Sequence, residues 1–287
     1  MTIGARFFLA VSLLALIGCA GSGKGGDEPI DRGPAPAYAQ VASRYNARVD
    51  KLDRVRSAMS IFIKTVDTQG KDVDEQADGH LQLVRPSRVA LRIDKVGKTI
   101  FYLGGDESRF WWLDLTRDPK AALVGTHANI TRERGARVGL PVHPLDLMLM
   151  LGVMPLPAEG DSPRWADSGK SLRLDLAGRW GATRLILDPV TFEPTRIELM
   201  DAEGHPAVTA TLTDYERVAI DGDAMSIARL ATKIEILMPA SQTRVRLRLY
   251  DPENPGDRIR DRAFDLATLL EAYDVQRLLD LDEEPSP

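Results

Sequence analysis

Catalysis needs a nucleophile, an acid–base pair or a set of metal ligands, and few residues of this chain are candidates. Its four histidines, His80, His127, His143 and His205, are scattered. None has the i, i+4 partner or the H-E-x-x-H setting that would put metal ligands on one helix face. Gly160-Asp161-Ser162-Pro163 has the residue types of an esterase block. It lies in a proline-rich connection, without the strand, sharp turn and helix that expose a nucleophilic serine. Gly18 to Gly25 spells G-x-x-x-x-G-K, but Gly25 stands where a phosphate-binding loop needs a hydroxyl for magnesium. The carboxylates of Asp265, Glu271 and Asp282 to Glu284 are expected to be solvated charge on a helix and a tail. The expectation is a protein that is not an enzyme and holds no metal and no cofactor.

One residue type is placed too pointedly to ignore. Cys19 is the only cysteine in 287 residues, which excludes an internal disulfide framework and any multi-cysteine metal site. It follows a short basic start, Met1 to Arg6, and an apolar run from Phe7 to Ile17. That run is shorter than the ~20 residues needed to span a bilayer as a helix, so it has the form of an export signal. Leu16-Ile17-Gly18-Cys19 resembles the lipobox of bacterial lipoproteins. The resemblance implies removal of residues 1–18 and acylation of Cys19 with chains of the palmitate type. By the sorting habit of such proteins, Ala20 implies delivery to the periplasmic face of the outer membrane in a Gram-negative type of envelope. Residues 19–37 are glycine, proline and charge, a flexible tether reaching roughly 20–25 Å at ~5–6 Å × √n. Residues 38–287 form the domain.

Composition is that of a soluble globular core, 44% hydrophobic and 28% charged. Lys and Arg total 37 against 42 Asp and Glu, a net charge of −5. No basic excess points to nucleic acid.

The elements that must position any site follow from periodicity. Tyr38, Val41, Tyr45, Val49, Leu52 and Val55 recur at spacings of three and four, predicting an opening helix with one apolar stripe. Period two dominates from there: Leu81 and Leu83, then Val89, Leu91 and Ile93, then Val208, Ala210 and Leu212, then Val245, Leu247 and Leu249. Each set alternates with polar residues, as in antiparallel strands with one wet face. Turn signals at Asp78-Gly79, Gly104-Gly105, Gly178 to Gly181, Asp188-Pro189, Glu203-Gly204, Asp221-Gly222 and Asp251-Pro252 divide about eleven strands. A sheet of that length must curl around something apolar. Leu145 to Leu151, apolar nearly all round and too short to span a membrane, predicts a short helix inserted on the concave side. Leu266, Leu269, Leu270 and Tyr273, behind Asp265 as N-cap, predict a second helix on the sheet rim.

Gly79-His80-Leu81-Gln82-Leu83-Val84-Arg85-Pro86 is similar to the G-x-L-x-V-x-R-P strand of LolA/LolB-type lipoprotein carriers, and Asp106 to Asp114 is similar to their D-G-x-x-L-W-x-Y-[DN] strand. The opening helix and the Pro144 to Leu151 insert fall in the same order, so the likeness covers roughly residues 38–250. It implies a mainly β (α+β) fold: an eleven-stranded antiparallel half-open barrel, with an N-terminal helix and a short helical lid over the concave apolar face. It also implies that Arg85 clamps the lid through backbone carbonyls, a role five guanidinium donors suit; a solvated strand arginine is the alternative. Leu113 departs from the family's tyrosine, and Trp112 is an extra aromatic. The hairpin turn Lys95-Val96-Gly97-Lys98 exposes one valine where acylated receptors of the group carry a protruding apolar loop.

Candidate cavity or lid residues are Leu91, Trp111, Leu145, Met148 and Leu149. Trp111 is either cavity wall or core, and the Met148/Met150 segment either lid or core helix. The expected function is a membrane-anchored, monomeric periplasmic lipoprotein binding acyl chains of lipoproteins or other lipids. The alternative is a non-catalytic interaction or structural lipoprotein with a permanently filled core, using the Arg244/Arg246/Arg248 row on its outer face.

Overall fold

A computed structural model describes residues 30–66, 69–137, 143, 145–223 and 225–283. The signal segment and Cys19 lie outside the described residues. Residues 30–37, the end of the expected tether, run along the domain instead: Ile30 N–H donates to the Ser168 carbonyl at 2.9 Å and Trp165 Nε1 to the Gly33 carbonyl at 2.8 Å.

The opening helix α1 (Tyr38–Val49) buries Tyr38, Val41, Ala42, Tyr45 and Val49 along one stripe. Its apolar spacing runs on beyond its end, since Leu52 belongs to a following 3-10 turn and Val55 to the first strand. The chain then enters β1 (Arg54–Val66), β2 (Asp72–Val84), β3 (Arg88–Lys95), β4 (Lys98–Gly105), β5 (Arg109–Asp114) and β6 (Ala121–Thr126). Two short helices, α2 (Arg132–Arg137) and α3 (Asp146–Met150), interrupt the strands. Then follow β7 (Arg164–Ala166), β8 (Ser171–Ala177), β9 (Ala182–Leu187), β10 (Pro194–Met200), β11 (Pro206–Arg217), β12 (Ala219–Ile220), β13 (Arg229–Met238) and β14 (Thr243–Asn254). Helix α4 (Leu266–Ala272) and β15 (Arg277–Asp280) close the chain.

The strands form one sheet in the order β15-β6-β5-β4-β3-β2-β1-β14-β13-β11-β10-β9-β8-β7, with β12 paired to β14 off that path. The sheet is open, because its edges β15 and β7 do not meet. It has fifteen strands among the described residues and not eleven. The additions include β7, β12 and β15, of two to four residues each, too short for period two to show. β15 lies just before the expected acidic tail and pairs in parallel with β6.

Three expected turns lie inside strands. Gly79 is in β2, where a Cβ would strike the Arg92 backbone of β3. Gly104 is in β4, where a Cβ would fall inside the Trp111 indole. These glycines serve close approach across a sheet, which local sequence reads as a break. Asp251-Pro252 lies within β14, beside the register shift between Arg56 and Ala58 of β1.

The two faces carry different cores. The inner face joins α1 and α3 to Val55, Leu83, Leu91, Ile197, Leu212, Ile234 and Leu249. The outer face of β3 to β6 is covered by Phe264, Leu266 and Leu269. α4 therefore packs on the outer face and not on the rim, with Asp265 capping it by accepting from Thr268 N–H at 2.6 Å.

Candidate ligand site on the inner face

Helix α3 lies in the inner core: Leu147, Met148, Met150 and Leu151 are buried, Met148 completely. Of the expected lid residues, Leu145 is buried, and Leu149 is half-buried beside Met154, Pro155 and Leu176 on a surface groove. Leu91 is in the same core.

The clamp on this segment comes from α1. Arg48 Nη2 donates to the Gly152 carbonyl at 2.7 Å and Nη1 to the Arg229 carbonyl at 3.2 Å. Its guanidinium carbon lies 4.9 Å from the Tyr45 ring centroid. Tyr45 Oη donates to the same Gly152 carbonyl at 3.4 Å. Asn46 brackets Leu156 through both amide atoms, at 3.0 and 2.8 Å, and Tyr38 Oη donates to the Pro157 carbonyl at 2.8 Å. Polar atoms of one helix thus satisfy the backbone of the strap that follows α3, where buried carbonyls need partners. Gly152, with φ +68°, turns the chain out of α3 at this point.

Arg85 does not hold α3. Its guanidinium lies 3.8 Å from Asp50 Oδ1 at the end of α1, and no hydrogen bond joins it to α3 among the described residues. Its buried Nε has no partner. One turn of α1 supplies the arginine that the family pattern would take from the end of β2. Asn46 and Arg48 escaped the sequence reading because they are polar residues beside an apolar stripe, which mark a helix's wet face unless a strap crosses there.

The other end of α3 is also buried. His143 Nδ1 accepts from Leu145 N–H at 3.1 Å, and Asp146 N–H donates to the His143 carbonyl at 2.8 Å. Burial, then the Arg179 charge, pushes the His143 imidazole down to about 4. Burial pushes the Asp146 carboxyl up to about 6 against the opposing pull of Arg179, whose Nε is 3.8 Å away.

α1 joins the sheet where β1 begins, beside the end of β14, to which Asn254 Nδ2 ties it by donating to the Lys51 carbonyl at 3.0 Å. At the opposite end of the strands the described residues cover the inner face only in part, and Ile63, Ala77, Ile100 and Phe101 are half-buried there. Ile61, Ile63, Ala77, Ile93, Ile100 and Phe101 line an apolar trough of about 410 Å³ there. Glu75 and Lys95, an ion pair, and Gln76 and Thr116 complete its lining. With α3 seated, this end of the inner face is where the described residues leave apolar surface accessible.

Trp111 is on the other face. Completely buried, it packs over Gly104 with Leu113 and Ala90, in the core that contains Phe264 and Leu266. Trp112, half-buried, is the inward-facing member of the pair: it stands opposite Leu103, itself opposite Leu91. Adjacent residues on a strand point to opposite faces, and α4 decides which face receives the larger burial. Among the described residues no group of three or more His, Cys, Asp or Glu could hold a metal ion.

No family model and no curated protein sequence matches the chain. Solved structures do. A LolA superfamily protein from Nitrosomonas europaea superposes with a TM-score of 0.51 at 12% identity, covering 81% of this chain and 99% of that one. A DUF1329 family protein from Desulfovibrio piger gives 0.51 at 11% identity, covering 80% and 98%. At such identities the likeness is one of fold. The chain shares its fold with these two proteins over about four fifths of its length.

Proposed function

We propose that this chain is a non-catalytic envelope lipoprotein, anchored through Cys19, whose inner face takes acyl chains of lipoproteins or other lipids. The observation that carries this reading is the apolar trough at the open end of the inner face, continuous with the core under α3. A slot of that volume, walled by aliphatic and aromatic side chains, is the kind of surface that binds hydrocarbon. The shared fold with a LolA superfamily protein supports the reading without naming a ligand.

Magnitudes decide how α3 takes part. Lifting Leu147, Met148, Met150 and Leu151 out of the core costs roughly 6–12 kcal/mol at ~1.5–3 kcal/mol per side chain. A ligand offsets this by burying a few hundred Å² of apolar surface at ~25 cal/mol/Å². One chain in the trough needs no such displacement. A larger lipid can replace α3 contact for contact, with Gly152 as the hinge.

The complete burial of Met148 favours a second reading, in which α3 is fixed core and the protein acts through its surface. Titration of the full chain with a fluorescent fatty acid separates the two. Saturable binding that Phe101→Asp abolishes supports the acyl-binding reading. Absence of binding to the folded wild-type protein overturns it.

A further inference from the structure

A second groove lies on the outer face, away from the trough. Its floor is Ala90 and Tyr102 of the sheet with Leu269 of α4, and it encloses about 470 Å³. One wall is pinned to the floor, because Tyr102 Oη donates to the Ala263 carbonyl at 2.6 Å. The Tyr102 and Tyr273 rings stand 6.0 Å apart at an interplanar angle of 49°. Burial raises the Tyr102 hydroxyl pKa, so the ring stays neutral.

The charged groups around that floor are all of one sign. Three arginines, Arg56, Arg92 and Arg262, line the groove, and no carboxylate does, on a chain whose net charge is −5. Arg92 is held by Asp94 at 3.0 Å and Arg56 by Glu253 at 2.7 Å, both acids lying outside the lining. These pairs fix two guanidinium groups in place. Arg262 is exposed and has no ion-pair partner among the described residues. A guanidinium with free donors beside an aromatic and aliphatic floor matches an oxyanion attached to an apolar body: the fork takes the oxygens and the floor takes the carbon surface.

We propose that this groove binds a small anionic amphiphile, an oxyanion group on a ring-sized apolar body. The site is independent of acyl-chain binding on the inner face.

The test is calorimetric titration of the full chain with phenyl phosphate, inorganic phosphate and benzyl alcohol. Phenyl phosphate is expected to bind saturably, about tenfold or more tighter than either fragment, a factor equal to about 1.4 kcal/mol. Arg262→Ala and Ala272→Glu change exposed positions outside the core, and each is expected to weaken phenyl phosphate about tenfold while leaving the melting temperature unchanged. Added salt is expected to weaken it further. Inorganic phosphate binding as tightly as phenyl phosphate, wild-type affinity in both variants, or no saturable binding at all would overturn the proposal. A fatty-acid probe on the inner face is expected to stay bound throughout. Its displacement by phenyl phosphate would place the anion in the trough and overturn the two-site account.

Discussion

Arg48 Nη2 and the Gly152 carbonyl are 2.7 Å apart, so the helix that opens the domain holds the end of the helix inserted over one hundred residues later. The contact makes α1 both a core element and the latch of α3. Arg48→Ala removes two charge-assisted hydrogen bonds and leaves the Gly152 carbonyl with only the long bond from Tyr45. The expected loss is about 1–3 kcal/mol in urea unfolding. Amide exchange at residues 145–153 is expected to accelerate well beyond that of β1. Arg85→Ala, by contrast, should leave exchange in α3 near the wild-type rate, and acceleration there equal to that of Arg48→Ala would contradict the latch.

Met148 and Leu149 are neighbours with different surroundings, one completely buried and the other half-buried at a groove. Met148→Ala is expected to cost about 2–5 kcal/mol. Leu149→Asp should leave the protein folded, because its side chain can turn to solvent. The urea midpoints of the two variants decide the point, and global unfolding of Leu149→Asp would mean that all of α3 is fixed core.

The buried pair at the start of α3 makes a prediction about pH. Asp146 titrates at about 6 when folded, above its ordinary carboxylate value, so its contribution is fully present below about 4 and is lost as pH rises through 6. His143 titrates at about 4, below its ordinary value near 6.5, so its contribution is present above 6.5 and is lost as pH falls through 4. The two slopes oppose each other, so the pair's combined contribution should be nearly flat between pH 4 and 6.5, while burial of the neighbouring His127, which pushes its imidazole down, adds a rise with pH. Asp146→Asn leaves the histidine slope, with stability rising with pH. His143→Gln leaves the carboxylate slope, with stability falling. Each change should be on the order of 2–3 kcal/mol at about 1.4 kcal/mol per pH unit. Melting temperatures across that range read both signs directly.

Gly104 makes room for Trp111 across the β4–β5 pair. Gly104→Ala therefore pushes the indole against the α4 layer, with an expected cost of about 1–3 kcal/mol. Near-ultraviolet circular dichroism should change with it. An unchanged spectrum and midpoint would mean that the indole is not held there.

Much of this fold was legible in the sequence, for identifiable reasons. The stripe from Tyr38 to Val49 and the alternations at Leu91, Leu212 and Leu247 each reflect one periodicity and one buried face. What was illegible depends on partners distant along the chain. Gly79 and Gly104 have the local chemistry of turns, and only Arg92 and Trp111 across the sheet explain them. Trp111 and Trp112 alternate equally well with either one inward, and the choice rests on Leu266 and Leu269 covering the outer face. The resemblance implied a clamp at Arg85, whereas the arginine bonded to the Gly152 carbonyl is Arg48, because the strap after α3 crosses α1.

The central claim is that the inner face holds acyl chains. Native mass spectrometry with solvent extraction, on the full chain purified in detergent from its own envelope, tests it most directly when wild type and Phe101→Asp are compared. The account predicts noncovalent acyl species released from the wild-type protein and largely absent from the folded variant. A wild-type protein that releases no acyl species, or a variant that retains them in full, would contradict it.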